Sequence, residues 1–112
     1  MAYRQGSVVL APDLFKSGLR PFFIISNEDR PFRGESYTVA VMSTTPREEA
    51  VAIVPGEDIE AGRLNKRSYI NVWALHTIRD EDINRRVAQV DPSTAERACQ
   101  LAKRYIEYRG GE

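Results

Sequence analysis

The sequence is poor in the residues from which metal centres and nucleophilic triads are built. It contains one cysteine, Cys99, and one histidine, His76. A single cysteine excludes an internal disulfide and a cysteine-based metal cluster, and it favours the reducing cytoplasm as the compartment. A single imidazole excludes a histidine-rich metal site and leaves only one candidate base for a serine or cysteine triad. We therefore expect no bound metal.

The sequence also has no phosphate-binding glycine loop and no long hydrophobic run. The turns "GESYT" and "PGEDIEAG" lack the glycine spacing of a phosphate-cradling loop that follows a strand. The start "MAYRQGSVVLAPDLF" has no signal-peptide core, and no stretch approaches the roughly 18 apolar residues needed to cross a bilayer. These absences predict a soluble protein that uses no nucleotide cofactor and no membrane partner.

An excess of charge of one sign is lacking as well. The 16 basic and 16 acidic residues give a formal net charge of zero. Because there is no long-range basic field, a nucleic acid would have to be held by local groups of cations. The candidate groups are Arg63, Lys66 and Arg67 in "GRLNKRSY", Arg30 and Arg33 in "EDRPFRG", and the pair Arg85 and Arg86. The alternative for each such group is an ordinary solvated surface.

What the sequence does contain is a series of short β-like segments. With 112 residues, 42% of them apolar and 29% charged, the chain suits one compact domain over residues 1–112. Segments rich in β-branched and aromatic residues, separated by turn residues, predict strands at 7–11, 20–26, 37–45, 50–55, 68–78 and 87–90. Short strands joined by turn-rich loops favour antiparallel pairing. We therefore predict a mainly β fold, a small and strongly bent sheet or barrel.

The last segment, "DPSTAERACQLAKRYIEYRGG", predicts an amphipathic helix. Pro92 suits the first helical position, and Ser93 with Glu96 three residues later matches a capping box. Apolar residues recur at helical spacing along one face, at Ala98, Leu101, Ala102, Tyr105 and Ile106. This helix is expected to cover an open face of the sheet.

One position in the β part indicates chemistry. Arg20 stands at the start of the second strand, and the third strand ends in "STT", which includes Ser43 and Thr44. If these strands are antiparallel neighbours, the guanidinium and the hydroxyls lie at the same edge of the sheet. Such a group suits the charge of a phosphate or of a pentavalent phosphorus intermediate. The alternative is that Arg20 pairs with an acid such as Asp13 or Asp29 and that "STT" only ends a strand.

The order of these segments resembles the MazF/PemK toxins, whose fold is shared with the toxin Kid and the gyrase poison CcdB. "GLRPFFIISN" is similar to that family's "GRRPALVISN", and "QGSVVL" is similar to its opening "GDIVLV". "TVAVMSTT" is similar to its strand ending in "PITS", and "SYINVWALHTIRDEDI" resembles "SVVLVDQIRTVDKSRL". The resemblance runs from about Arg4 to Ile106.

The resemblance implies a small SH3-like barrel of the CcdB/PemK type with a C-terminal helix. It also implies a homodimer that cleaves single-stranded RNA without a metal and is silenced by a cognate antitoxin. In such enzymes the ribose 2′-hydroxyl attacks the adjacent phosphorus. By position, Arg20 matches the family's catalytic arginine and Thr44 its catalytic hydroxyl, with Ser43 as a neighbour that could take the place of Thr44.

The chain departs from the family pattern at two places. The loop after the first strand is shorter, and Phe15 and Lys16 stand where the family has a "G-x-E-Q" stretch. The acid and the glutamine of "VDQIRT" correspond to Trp73 and Ala74, and its arginine corresponds to His76.

These departures leave alternatives open. Either His76 carries protons in catalysis, as histidine often does, or the barrel binds RNA or a protein partner without cutting. Trp73 either stacks on an unpaired base or packs in the core. A further alternative is a protein that poisons another enzyme, as CcdB does with gyrase. The residues expected to contact RNA are Lys16, Arg63, Lys66, Arg67 and Trp73.

Overall fold

A computed structural model describes residues 2–111. Its elements are β1 (Ser7–Pro12), β2 (Leu19–Ile24), β3 (Ser36–Ser43), β4 (Val51–Ile53), β5 (Ile59–Gly62), β6 (Ser68–Arg79), a 3-10 turn (Asp80–Asp82), β7 (Arg85–Val90) and α1 (Pro92–Ile106). The strands form one antiparallel sheet in the order β4-β6-β3-β2-β1-β7-β5, which curls into a nearly closed barrel. The predicted mainly β fold with a C-terminal helix is confirmed.

One strand, β5, was not predicted, because the segment from 56 to 67 has the composition of a turn. Ile59 pairs with Val90 and Gly62 with Ala88, with an irregular register between them. A side chain at Gly62 would collide with the carbonyl oxygen of Val87, and Gly62 has a φ of 75°. The close approach of β5 to β7 therefore requires glycine at this position.

The helix begins at the predicted place but with a different cap. Pro92 is its first residue, and the Asp91 carboxylate accepts a hydrogen bond from the Thr94 backbone N–H at 2.8 Å. The predicted capping role of Ser93 is therefore wrong. Aspartate is as good an N-cap as serine, and Asp91 already stands one residue before the proline, where an N-cap belongs.

Each face of the sheet carries its own apolar cluster, as the alternation of side chains along strands requires. The first cluster lies between the sheet and α1, which packs against β6 and β4, and it includes Phe23, Met42 and Ala98. The second cluster lies on the other face and includes Phe22 and Val39. Only the first face is covered by the helix.

The second face is partly closed near the beginning of β3. Tyr37 is buried there, and its hydroxyl donates to Asp80 and accepts from the Tyr3 backbone N–H, each at 3.1 Å. Burial raises the pKa of Tyr37. Ile83 packs on the same cluster. Toward the end of β3, residues on this face become half-buried, and this opening is where the candidate site lies. Within residues 2–111, no helix has the length and apolar character to span a membrane.

Candidate active site at the ends of β2 and β3

Strand register places the predicted site residues on one face. Five residues lie side by side across five strands, Arg86, Val9, Phe22, Val41 and Asn71. Two residues further along, Arg20 lies opposite Ala11, and Ser43 lies opposite Tyr69. Because every second residue of a strand points to the same face, Arg20, Ser43, Tyr69 and Asn71 share the face that carries Phe22.

Arg20 is held directly against the end of β3. Its Nη2 donates to the carbonyl oxygen of Met42 at 2.6 Å. Met42 is the residue before Ser43. The side chain is 28% exposed, so the guanidinium is partly desolvated but open to a ligand. The structure therefore brings Arg20 to the end of β3, as the antiparallel strand order predicts.

Arg20 also has an acidic neighbour. Its Nη1 lies 3.6 Å from Asp13 Oδ2, and the Asp13 side chain is 12% exposed. Arg20 therefore makes both of the contacts that the sequence analysis treated as alternatives. It contacts the end of β3, and it pairs with an acid, which is Asp13. A guanidinium has five N–H donors, and one of them is used in the hydrogen bond to Met42. Donors remain for a phosphate group.

The hydroxyls at the end of β3 are arranged differently from one another. Ser43 is half-buried, and its Oγ accepts a hydrogen bond from the Thr45 backbone N–H at 3.0 Å. This contact ends the strand and leaves the hydroxyl proton of Ser43 available for donation. Thr44 is exposed. Both hydroxyls are therefore within the next two residues of the carbonyl that Arg20 contacts.

The structure adds Asn71 to the site, a residue that the sequence analysis did not single out. Among the residues that the structure describes, two buried side-chain polar atoms make no hydrogen bond, Arg20 Nε and Asn71 Oδ1. Buried polar groups are almost always paired, and an exception calls for an explanation such as a catalytic role or a bound water or ion. Both atoms belong to strands that flank β3, on the same face. The signal in the sequence was a polar residue, Asn71, inside the apolar run "SYINVWAL".

Several of the predicted RNA contacts lie at this end of the sheet. The Arg67 guanidinium lies 6.0 Å from the centre of the Tyr69 ring, and Tyr69 is opposite Ser43. Arg63 and Lys66 belong to the loop that leads into the start of β6 and are exposed. Lys16 lies in the β1–β2 loop, and its backbone N–H donates to the Asp13 carboxylate at 3.1 Å. Arg67 and the Lys16 backbone are thus next to residues that neighbour the site, Tyr69 and Asp13. For Arg63 and Lys66, contact with RNA stays a prediction.

His76 and Trp73 lie apart from this cluster. His76 is opposite Val39 of β3. Val39 and Ser43 are four residues apart, and that length of strand spans about 13 Å. Trp73 lies in the irregular part of β6 and packs against Tyr105 of α1 with ring centres 6.4 Å apart. Within one chain, the structure does not bring either side chain to Arg20. A catalytic role for His76 and an RNA-stacking role for Trp73 stay predictions.

The strands and the helix together have the MazF-type fold. Three solved structures are similar over almost the whole chain. An endoribonuclease in complex with its cognate antitoxin, from a mycobacterial species, is 21% identical, with a TM-score of 0.75, covering 96% of this chain and 100% of its own.

A second mycobacterial endoribonuclease is also 21% identical, with a TM-score of 0.74, covering 95% of this chain and 92% of its own. The Mycobacterium tuberculosis toxin MazF-mt6 is 23% identical, with a TM-score of 0.68, covering 91% of this chain and 99% of its own. No protein-family model and no curated protein sequence matches the chain. At these identities the likeness establishes the fold, and the fold implied by the sequence resemblance is confirmed.

Proposed function

We propose that this protein is a toxin-type endoribonuclease that cleaves single-stranded RNA without a metal ion. The observation that carries the proposal is the position of Arg20. Its guanidinium is fixed on the Met42 carbonyl at 2.6 Å, beside the hydroxyls that end β3. It lies on a half-buried face that also carries an unpaired amide oxygen of Asn71. The shared fold with solved endoribonucleases supports the same function.

In the proposed reaction the ribose 2′-oxygen attacks the adjacent phosphorus and the bond from phosphorus to the 5′-oxygen breaks. The 2′-hydroxyl loses its proton and the departing 5′-oxygen gains one, which gives a 2′,3′-cyclic phosphate and a 5′-hydroxyl. Arg20 neutralises charge that develops on the phosphoryl oxygens, and the hydroxyl of Thr44 or Ser43 donates to one of them. Proton transfer by His76 would require RNA or a second chain to bring His76 and the phosphate together, because His76 lies opposite Val39.

Tyr69 and the cations around it supply binding for the flanking nucleotides. Tyr69 presents a ring on which a base can stack, and Arg67 already lies over that ring. Lys16, Arg63 and Lys66 are exposed at the same end of the sheet and would contact backbone phosphates. Because the net charge is zero, RNA binding would depend on this local group of cations.

The proposal includes a homodimer, a cytoplasmic location and an antitoxin partner. The edge strands β4 and β5 have three and four residues, and exposed edges favour pairing with a second chain or a peptide. One of the similar solved structures contains a cognate antitoxin, and that protein is therefore a precedent for such a partner. The single cysteine, Cys99, supports a reducing compartment.

The test is incubation of the purified protein with single-stranded RNA in the presence of EDTA. We expect cleavage to persist, and we expect products that carry 2′,3′-cyclic phosphate and 5′-hydroxyl ends. DNA of the same base sequence is the matched control, because it lacks the attacking 2′-hydroxyl and must remain intact. Cleavage of the DNA, or products with 5′-phosphate ends, would contradict the proposed reaction.

A second candidate is a barrel that binds RNA or a protein partner without cutting. The observation that favours it is the position of His76, the chain's one imidazole, opposite Val39 and away from Arg20. This candidate predicts saturable binding of single-stranded RNA, measured by fluorescence polarisation, with no products after prolonged incubation. Appearance of cyclic-phosphate products that depend on Arg20 would exclude it.

A further inference from the structure

The loop between β1 and β2 is built around one carboxylate. Asp13 Oδ1 accepts hydrogen bonds from the backbone N–H groups of Phe15 at 2.8 Å and Lys16 at 3.1 Å. The Asp13 backbone N–H donates to the Gly18 carbonyl at 2.9 Å. Gly18 has a φ of 98°, which allows the short loop to turn back into β2. These contacts fix the position of the carboxylate relative to both strands.

The other oxygen of this carboxylate faces Arg20. Asp13 Oδ2 lies 3.6 Å from Arg20 Nη1, while Nη2 of the same guanidinium is bonded to the Met42 carbonyl at 2.6 Å. The guanidinium thus makes a hydrogen bond to β3 through one terminal nitrogen and an ion pair with the β1–β2 loop through the other. A free arginine side chain has many rotamers, so restraint at two points removes conformational freedom that a ligand would otherwise have to remove.

We propose that Asp13 is a positioning residue for Arg20, with one oxygen shaping the loop and the other orienting the guanidinium toward the phosphate that is cleaved. This inference rests on the proposed function, because it assigns to Arg20 the role of phosphate clamp. Asp13 itself does not touch the RNA. Arg20 retains N–H donors for a phosphate while both of its existing contacts are kept.

The charge of Asp13 separates this role from a binding role. A carboxylate beside a phosphate clamp opposes the binding of RNA, because like charges repel. If Asp13 acts by orientation, neutralising it leaves RNA affinity unchanged or improves it, and it lowers the rate of the chemical step. A residue that merely stabilised the fold would instead reduce the amount of active protein and leave the rate per folded molecule unchanged.

The ionisation state of Asp13 also separates positioning from proton transfer. Hydrogen bonds from the Phe15 and Lys16 backbone, together with the positive charges of Arg20 and Lys16, lower the pKa of Asp13 despite some desolvation. The carboxylate therefore stays ionised between about pH 5 and 9. Over that range, the ratio of wild-type to variant rates is expected to be constant, whereas a general base would make the ratio change with pH.

Asp13→Asn is the sharpest variant. Asparagine keeps a side-chain oxygen that can accept from Phe15 and Lys16, so the loop is preserved. The charged oxygen that faces Arg20 is replaced by an uncharged NH2 group, which cannot accept from the guanidinium. Asp29→Asn is the matched control, since Asp29 is an exposed aspartate in the connection between β2 and β3. Thermal unfolding of the three proteins checks that each variant is folded.

The experiment has two readouts. The first readout combines two measurements. One is the rate of single-turnover cleavage of single-stranded RNA, and the other is the affinity for a 2′-O-methyl RNA that cannot be cut. For Asp13→Asn we expect the rate to fall about 10- to 100-fold, the effect typical of a misplaced catalytic group, with affinity unchanged or higher. Separately, the side-chain ¹⁵N signals of Arg20 are recorded by NMR without RNA. We expect these signals to show slow rotation of the guanidinium in the wild type. In Asp13→Asn we expect fast rotation, which averages the signals of the two terminal nitrogens.

The outcomes distinguish the two proposals. If the wild-type protein cuts no RNA, the proposed function fails, and the Arg20 signals alone decide whether Asp13 restrains the guanidinium. If Asp13→Asn cuts as fast as Asp29→Asn, or if Arg20 rotates equally freely in both, Asp13 is not a positioning residue. Weaker binding of the 2′-O-methyl RNA with an unchanged rate would equally overturn the inference.

Discussion

Two clusters of polar side chains lie at different places in the barrel, and they are satisfied to different degrees. At the start of α1, Asp58 accepts from the Val54 backbone N–H at 2.7 Å and from the Thr94 hydroxyl at 2.9 Å. Asp91 accepts from the Thr94 backbone N–H at 2.8 Å. Near the start of β2 and in the neighbouring part of β6, by contrast, Arg20 Nε and Asn71 Oδ1 are buried and make no hydrogen bond within residues 2–111.

The difference indicates what each cluster is for. Polar groups that maintain a fold are paired within the chain, because an unpaired buried polar atom costs stability. The Asp58 cluster joins the loop after β4 to the helix and is complete by itself. In the Arg20 cluster, two buried atoms have no partner within residues 2–111, and the proposed function brings a phosphate group to this guanidinium. We therefore assign the Asp58 cluster to stability, and we propose that the Arg20 cluster serves function.

The largest expected effect is on catalysis, at Arg20. Arg20→Ala is expected to slow single-turnover RNA cleavage by about 100- to 1,000-fold, as loss of a charge-stabilising donor does in other enzymes. Arg20→Lys is expected to recover little, because an ammonium cannot contact the Met42 carbonyl and a phosphate in the same planar arrangement. Arg79→Ala is the control, since Arg79 is exposed and paired with Glu81 and Asp82. Equal rates for Arg20→Ala and the control would remove the assignment of a phosphate clamp.

The next effect is on stability, at Asp58. Asp58→Ala removes the acceptor for the Val54 backbone and the Thr94 hydroxyl. The free energy of unfolding, measured in urea, is expected to fall by about 2 kcal/mol, while the cleavage rate per folded molecule stays the same. Loss of rate without loss of stability would reverse the division between the two clusters.

A smaller effect of the opposite sign is expected at Asn71. Asn71→Leu removes the buried, unpaired oxygen Oδ1 of a half-buried residue and puts an apolar side chain of similar size in its place. The free energy of unfolding is expected to rise by about 1 kcal/mol, and RNA cleavage is expected to become slower. Ser68→Ala on the same strand is a control, because the Ser68 hydroxyl is paired with the Lys66 carbonyl. A destabilised Asn71→Leu protein with normal activity would show that Asn71 serves the fold.

The smallest effect is expected at His76. Within one chain it lies about 13 Å from Ser43, measured along β3, so His76→Gln is expected to change the rate by less than about threefold at every pH tested. If instead the variant loses most of its activity and the dependence of the rate on pH changes, His76 carries a proton in the reaction. That result would place His76 at the phosphate through RNA or through the second chain of a dimer.

The sequence was sufficient for most of the sheet and for Arg20. Runs of β-branched and aromatic residues between turn residues marked β1, β2, β3 and β6. Antiparallel pairing of neighbouring strands gave the meeting of Arg20 with the end of β3 as one of two alternatives, and the structure shows this contact beside the ion pair with Asp13. The sequence was insufficient for β5, where Ile59 is the one large apolar residue and register depends on contact with β7. Edge strands of this kind are determined by their neighbours rather than by their own composition.

The remaining site residues depended on irregular geometry. Simple alternation would place Asn71 and Trp73 on the same face, but the register of β6 shifts between Asn71 and Leu75. The shift leaves Asn71 beside Val41 and turns Trp73 toward Tyr105 of α1. The contact of Asp13 with Arg20 depends in turn on the shape of a six-residue loop, which one sequence does not specify.

The most direct test of the whole account is to map where RNA binds. Backbone and arginine side-chain NMR signals are followed while a single-stranded 2′-O-methyl RNA, which lacks the attacking hydroxyl, is titrated into the wild-type protein. The account predicts that the signals of Arg20, Ser43, Thr44 and Tyr69 shift together, while those of Asp58 and Thr94 do not move. Shifts centred on α1, or saturation of binding without any change at Arg20, would contradict it.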